Sequence, residues 1–332
     1  ENPFGPSRAL VKDLERALSE VGGNLNRYPD RDAIELRREL ARYINQLSDT
    51  TFDERSLWAA NGSNEIIQTI FLAFGGFGRH ALGFEPSYSM HRNISSATGT
   101  QWIAVERNDD YSIDLGSAAE VINAQSPTLI FLTTPNNPTG TVTSLTDIER
   151  IAQICRERNS LLVIDEAYQE FSSEQSAVTL IDKYPNIIVS RTMSKAFAFA
   201  GARVGYLVAN PDVVDAMFLV RLPYHLSAIT QAAAEVALEY QGELLGTVAT
   251  LIDSRAKVIA DLESMGLTVA PSSANFIIFS GFNLEPAQIW RQLLDRGVLI
   301  RDVGLLGHLR MTIGNEAENQ KFIGALKEIL QK

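Results

Sequence analysis

The sequence predicts an α/β fold, with a large domain on a mostly parallel sheet sandwiched by helices and a smaller α+β C-terminal domain. Three observations carry this. The runs "TLIFLTT" (128–134), "LLVIDEA" (161–167) and "NIIVSRT" (186–192) are continuously apolar rather than alternating, as in strands covered on both faces. Between the first two lies "LTDIERIAQICRERN", apolar at helical spacing, and a strand–helix–strand order of this kind implies a parallel sheet with right-handed crossovers. Near residue 241 the pattern changes to long helix-like segments between short apolar runs.

Taken in order, residues 1–27 ("ENPFGPS…LNRYP") carry Pro, Gly and Asn around a short helical piece with Leu10, Leu14, Ala17 and Leu18, and read as an N-terminal arm. Residues 28–240 form the large domain. Within it "AANGSNEIIQTIFLAF" (59–74) opens a helix at a Gly-Ser-Asn turn, with Ile66, Ile67, Ile70, Phe71 and Phe74 on one face. Residues 241–332 form the small domain: the helix "ATLIDSRAKVIADLESMG", the strand "NFIIFS", the helix "EPAQIWRQLLDRG", the runs "VLIRDV" and "HLRMTIG", and a terminal helix. A helix bridging the two domains would soften that boundary.

Composition narrows the function. The chain has 332 residues and a net charge of −11, so a nucleic-acid or anionic-membrane partner, which needs a basic surface, is not expected. A single cysteine, Cys155, excludes an internal disulfide; it shares a helical face with Ile148, Ile151 and Ile154 and is expected to be a buried thiol. The four histidines, His80, His91, His225 and His308, have no ligand spacing, so no metal site is expected. No apolar run reaches the length of a membrane span and no signal peptide stands out, so a cytoplasmic location is the expectation.

The chemistry is read at the strand ends, because ligands of open parallel sheets sit beyond their C-terminal edge. "TLIFLTT" delivers "PNNPTG" (135–140), "LLVI" delivers Asp165, Glu166 and Tyr168, and "NIIVS" delivers Thr192, Ser194 and Lys195. Lys195 stands among Ala, Phe and Gly in "SRTMSKAFAFAGARVG" (190–205), where burial would depress an ammonium pKa and favour Schiff-base chemistry. A lysine that forms an imine and a carboxylate that keeps a pyridine nitrogen protonated are the two requirements of pyridoxal phosphate chemistry. The helix start at "NGSNE" offers backbone N–H groups to a phosphate, and Arg203 offers a guanidinium fork.

These motifs, in this order, carry a resemblance. "TMSKAFAFAG" (192–201) matches at every position the lysine signature of the class II aminotransferases, and "PNNPTG", "DEAY", "NGSNE", "ENPFGPS" and "LRMTIGN" resemble the remaining family motifs along the whole chain. The sequence resembles the histidinol-phosphate aminotransferase family, which implies the type I fold of pyridoxal-phosphate-dependent transferases. By that resemblance Lys195 holds pyridoxal 5'-phosphate as a Schiff base and shuttles a proton, Asp165 pairs with the pyridinium, and Asn137 and Tyr168 address the ring 3-oxygen. Tyr88 looks like the ring-stacking aromatic. Ser63, Asn64, Thr192, Ser194 and Arg203 look like the phosphate cup, and Tyr28 resembles a tyrosine reaching the phosphate from a partner subunit, which implies a homodimer with shared sites.

The same resemblance implies Arg310 for a substrate carboxylate, with Arg301 converging on it, and Tyr224, Asn64, Tyr88 and Asn2 lining the substrate pocket. The implied reaction is amino transfer from L-histidinol phosphate to 2-oxoglutarate, giving imidazole-acetol phosphate and L-glutamate in histidine biosynthesis. The alternative is an aromatic-amino-acid aminotransferase on the same scaffold; a polar Asn64 favours an imidazole over a phenyl ring. A lyase or decarboxylase on this fold is a further rival, against which Arg310 speaks. One departure stands out: where this chain has His91, the family often has an aromatic residue.

Overall fold

The computed structural model describes residues 2–331. After the arm come α1 (Arg8–Gly22), α2 (Ile34–Ser48), β1 (Leu57–Ala60), α3 (Ser63–Phe74), β2 (His80–Glu85), α4 (Ser89–Ala97) and β3 (Gln101–Glu106). They are followed by α5 (Leu115–Gln125), β4 (Leu129–Thr133), α6 (Leu145–Glu157), β5 (Leu161–Asp165), β6 (Ile187–Thr192), β7 (Gly205–Ala209), α7 (Pro211–Val220) and α8 (Ala228–Glu239). The chain closes with α9 (Gln241–Ser264), β8 (Thr268–Val269), β9 (Phe276–Ser280), α10 (Pro286–Asp295), β10 (Leu309–Thr312) and α11 (Glu316–Leu330).

Seven strands form one sheet in the order β1-β7-β6-β5-β4-β2-β3. The pairs from β3 through β6 are parallel, whereas β7 runs antiparallel to both β6 and β1. The apolar runs are continuous because each strand serves two cores. Ile130 and Leu132 of β4 join the cluster under α1, α2, α6 and α8, while Leu129 and Phe131 join the one under α3 and α7. Cys155 is buried in the first of these, and its burial pushes the thiol up to about 12, so it behaves as a small apolar side chain.

A three-stranded antiparallel sheet, β10-β9-β8, builds the second assembly with α9, α10 and α11. Only Tyr240 separates α8 from α9, and α9 touches both cores: Leu244 joins the first, while Val248 and Leu251 join the second. The run "VLIRDV" contributes no strand. Arg301 alone pairs with Arg310 through two backbone hydrogen bonds of 2.8 and 2.9 Å, and Gly304 at φ 72° then turns the chain away.

Behind the sheet edge, on the side of the first core, Arg191 of β6 is ion-paired with Glu166 at 2.8 Å and Glu170 at 3.0 Å, and all three side chains are buried. Ser176 and the Ala177 N–H also donate to Glu166, and Tyr43 donates to Glu170. Burial is the largest influence on Glu166 and raises its pKa; Arg191 opposes that rise. Arg191→Met leaves two buried carboxylates without their cation, a loss of about 3–5 kcal/mol for a broken buried pair. The expected readout is a clearly lowered urea midpoint.

A second prediction concerns pH. Burial, then the nearby Glu35, Glu39, Asp30 and Glu239, raises the Glu235 carboxyl from 4.5 to about 7. A carboxyl raised in the folded state contributes stability that is full below about 4.5 and lost as pH rises through about 7. Glu235→Gln is therefore expected to raise the unfolding midpoint at pH 8 and to leave it near the wild-type value at pH 4.5. Equal effects at both pH values would contradict this.

Candidate active site

Thr133, Asp165 and Ser190 lie in register across β4, β5 and β6, so the segments after these strands leave the sheet side by side. Strand alternation sends Asp165 and Thr192 to the face away from Glu166 and Arg191. A cavity of about 330 Å³ opens there. Ser63, Asn64, Tyr88, Asn137, Asp165, Tyr168, Thr192, Ser194, Lys195, Arg203, Arg301 and Arg310 all line it, together with Thr133, Ala167 and Ala200. It adjoins a cleft of about 1100 Å³ that shares Tyr168, Lys195, Arg301 and Arg310 and adds Asn2.

One end of the cavity is shaped for an anion. Gly62 caps α3 at φ 86° with no side-chain cap, which leaves the first N–H groups of the helix without that partner. The Arg203 guanidinium lies against this turn: a Cβ on Gly62 would come within 2.8 Å of Arg203 Nη2. Gly205 is needed as well, because a Cβ there would lie 2.4 Å from the Gly62 carbonyl carbon and the Ser63 nitrogen. Glu65 fixes the turn from behind by accepting from the Asn61 backbone N–H and side-chain amide. Thr192 Oγ1 lies 3.0 Å from Ser194 Oγ and accepts the Ser194 N–H at 3.1 Å, which completes a ring of hydroxyls, amides and one guanidinium.

The middle of the cavity holds Asp165, Tyr168, Asn137 and Lys195. Lys195 Nζ sits 5.9 Å from the centre of the Tyr168 ring. Burial pushes the Tyr168 phenol well above its ordinary value, so it remains a hydroxyl donor near neutral pH. Tyr88 donates to Asn64 Oδ1 at 3.1 Å and is likewise raised, chiefly by burial. At the outer end Arg310 donates to Asn137 Oδ1 and lies over the Phe276 ring at 4.7 Å, while its buried Nε has no partner among the described residues. Burial lowers the Arg310 pKa, and the charge of Arg301 acts in the same direction.

Three of the residues expected from sequence are not part of this cavity. Tyr28 (78% exposed) and Tyr224 (40% exposed) stack on each other at the surface, with centroids 4.4 Å apart. Asn2 lines the larger cleft, with its side-chain amide directed at the Lys195 carbonyl.

Sequence reasoning left His91 without a role. Its Nε2 lies 3.1 Å from Asp165 Oδ2, fully buried, with the ring edge-on to Tyr88 and tilted against Phe131. A carboxylate oxygen accepts, so the imidazole donates. The available signal was spacing, since His91 follows Tyr88 by three residues into α4 and three-residue neighbours share a helical face.

The profile of the family "Aminotransferase class I and II" matches residues 1–326. The histidinol-phosphate aminotransferase of Corynebacterium glutamicum is 54% identical over 332 residues, covering 100% of this chain and 90% of that protein. The histidinol-phosphate aminotransferase of Mycolicibacterium smegmatis is 51% identical over 330 residues, covering 99% and 86%. Among solved structures, histidinol-phosphate aminotransferase from Sinorhizobium meliloti in complex with pyridoxal-5'-phosphate aligns with a TM-score of 0.87 at 26% identity, covering 100% of this chain and 89% of that one. The chain belongs to the class I and II aminotransferases. The expected type I fold is the one observed.

His91→Phe fits between two aromatic rings but removes a hydrogen bond to a carboxylate, a class worth about 1.5–3 kcal/mol. The expected result is a fall in kcat of about ten-fold or more. Unchanged kcat would show that the bond serves packing alone.

Proposed function

We propose that this chain is a pyridoxal-phosphate-dependent aminotransferase that moves the amino group of L-histidinol phosphate to 2-oxoglutarate, yielding imidazole-acetol phosphate and L-glutamate in histidine biosynthesis. The observation that carries the reading is the convergence of a lysine, a buried carboxylate, a phenol and an anion cradle in one cavity of a chain 54% identical to a histidinol-phosphate aminotransferase over its whole length. The identity to histidinol-phosphate enzymes does not favour the aromatic-amino-acid alternative.

The residues suit the cofactor. The cradle at Gly62, Ser63, Asn64, Thr192, Ser194 and Arg203 matches a phosphate in donor set, and Asp165 supplies a carboxylate for a protonated pyridine nitrogen. When bound, pyridoxal 5'-phosphate supplies the electron sink that makes the substrate's amino-bearing carbon acidic. In this reading Lys195 would hold the cofactor, and its amine would carry the proton at the substrate's amino-bearing carbon as general base and acid. Tyr168 and Asn137 would donate to the cofactor's 3-oxygen, and Tyr88 would pack against its ring. Arg310 and Arg301 hold the substrate's phosphate or carboxylate, and the Asn64 side chain, oriented by Tyr88, faces a polar substrate ring.

Tyr28 belongs to this proposal as a residue given to a second copy of the chain. It is exposed beside Tyr224, and Leu219 and Leu222 nearby in the chain are also exposed, an apolar surface suited to a homodimer. A cytoplasmic location is part of the same reading; among the described residues no helix is long and apolar enough to cross a membrane.

The test is a single half-reaction. With no keto acid present, the cofactor's visible band is expected to bleach at least about a hundred-fold faster per unit concentration with L-histidinol phosphate than with L-phenylalanine. The reverse order would move the enzyme to aromatic amino acids. Lys195→Ala is expected to lose the covalently held band and about 10²–10⁴-fold in rate from the missing proton transfer alone.

A further inference from the structure

Asn2 lies against the cleft, where the resemblance makes it a substrate ligand, yet its side chain is already committed. The amide Nδ2 donates to the Lys195 carbonyl at 3.3 Å and to Thr247 Oγ1 at 3.4 Å. Its Oδ1 accepts the Phe4 N–H at 3.0 Å. The polarity of this set is fixed by its partners. The Lys195 carbonyl can only accept, the Phe4 N–H can only donate, and the Thr247 hydroxyl spends its proton on the Leu244 carbonyl at 2.8 Å. Turning the amide over would set oxygen against the carbonyl and N–H against N–H.

The position of that carbonyl explains why a tie is needed. Lys195 begins a tight turn in which the Ala198 N–H returns to the Lys195 carbonyl at 3.1 Å, and Ala198 is held at φ 54°. A side-chain-bearing residue in the left-handed region is strained and persists where its surroundings over-determine it. The arm that brings Asn2 is itself fixed. Ser7 donates to Glu243 at 2.8 Å, Phe4 packs on the second core, and Glu243 and Thr247 stand one turn apart on α9.

We propose that Asn2 is a positioning residue for the catalytic lysine: it pins the Lys195 peptide group to α9, so that the Lys195 side chain swings between cofactor and substrate from a fixed backbone. The inference rests on the reading of Lys195 as the cofactor lysine. It gives the arm a task distinct from substrate binding, acting through Lys195 rather than on the reacting atoms.

The experiment compares the full chain with Asn2→Ala, Asn2→Asp, Thr247→Val and the Asn2→Ala/Thr247→Val double variant. Two readouts are taken: kcat and KM for L-histidinol phosphate, and the rate at which cofactor-free protein takes up added pyridoxal 5'-phosphate into its covalent band. Asn2→Ala is expected to lower kcat about ten-fold with KM held within about two-fold, and to slow uptake, since small misplacements of a reacting group are costly in rate. Asn2→Asp keeps the acceptor for Phe4 but sets a carboxylate oxygen against the Lys195 carbonyl, so its loss is at least as large. Thr247→Val gives a smaller loss, and the double variant matches Asn2→Ala, as expected for residues acting through one tie.

A raised KM at unchanged kcat would make Asn2 a substrate ligand and overturn the proposal. Wild-type values for kcat, KM and uptake in Asn2→Ala would overturn it too. Should the Asn2 variants fail to fold, Thr247→Val decides alone, and a wild-type kcat and uptake rate there would count against the tie. If the unaltered chain takes up no cofactor, the reading of Lys195 itself falls, a result distinct from all of these.

Discussion

β5 holds the site together because it pairs in parallel register with a strand on each side; β4 and β5 end level at Thr133 and Asp165, and β6 runs two residues further to Thr192. Each pairing fixes which residue leaves the sheet at which height, and a slip of one residue would turn Asp165 toward the first core and Glu166 toward the cavity. The buried cluster of Arg191 with Glu166 and Glu170 opposes such a slip. It grips β6 and the segment after β5 from behind, one residue away from Thr192 and Asp165. Charges buried this deeply contribute little net stability, and their geometry is better understood as fixing register.

The chain is acidic overall, yet cationic side chains converge on the cavity: Lys195 in the middle, Arg203 at one end, Arg301 and Arg310 at the other. Net charge governs solubility and long-range steering, whereas recognition of a small anion is decided within a few ångströms. Two cationic ends separated by a lysine and a carboxylate suit a pair of anionic ligands lying head to tail, which is what a phosphorylated cofactor and an acidic substrate require. Arg310 ties the outer end to the centre through Asn137. An anion drawn to Arg310 Nε, unpartnered among the described residues, therefore acts on the same network that includes Asn137.

Much of this was legible in the sequence because the information is local. A run such as "LLVIDEAY" states both the strand and what hangs from its end, so Asp165, Tyr168, Thr192, Ser194 and Lys195 could be named from runs alone. Tyr88, Asn2 and Tyr28 needed the family resemblance. His91 escaped because its partner Asp165 is 74 residues away, and a helix in a linear sequence does not show what it faces. "VLIRDV" looks like a strand by composition, but only Arg301 finds a partner there, since strand formation depends on a neighbouring edge as much as on propensity. The reversed direction of β7 left no mark in its composition either, since both of its faces are covered and its apolar run resembles that of a parallel strand.

The glycines at positions 62 and 205 show where backbone geometry, rather than side-chain chemistry, limits the site. The turn before α3 and the start of β7 approach so closely that a single methyl on either would meet guanidinium or backbone atoms. The cradle is thus bounded by main-chain amides of two closely packed segments, with the exposed Arg203 side chain beside them. At the opposite end Arg301 belongs to no strand, is exposed, and is held by two backbone hydrogen bonds, with the left-handed Gly304 three residues on. A backbone-built cradle at one end and an exposed arginine at the other suit the roles proposed for them, one phosphate retained and two chemically different substrates exchanged.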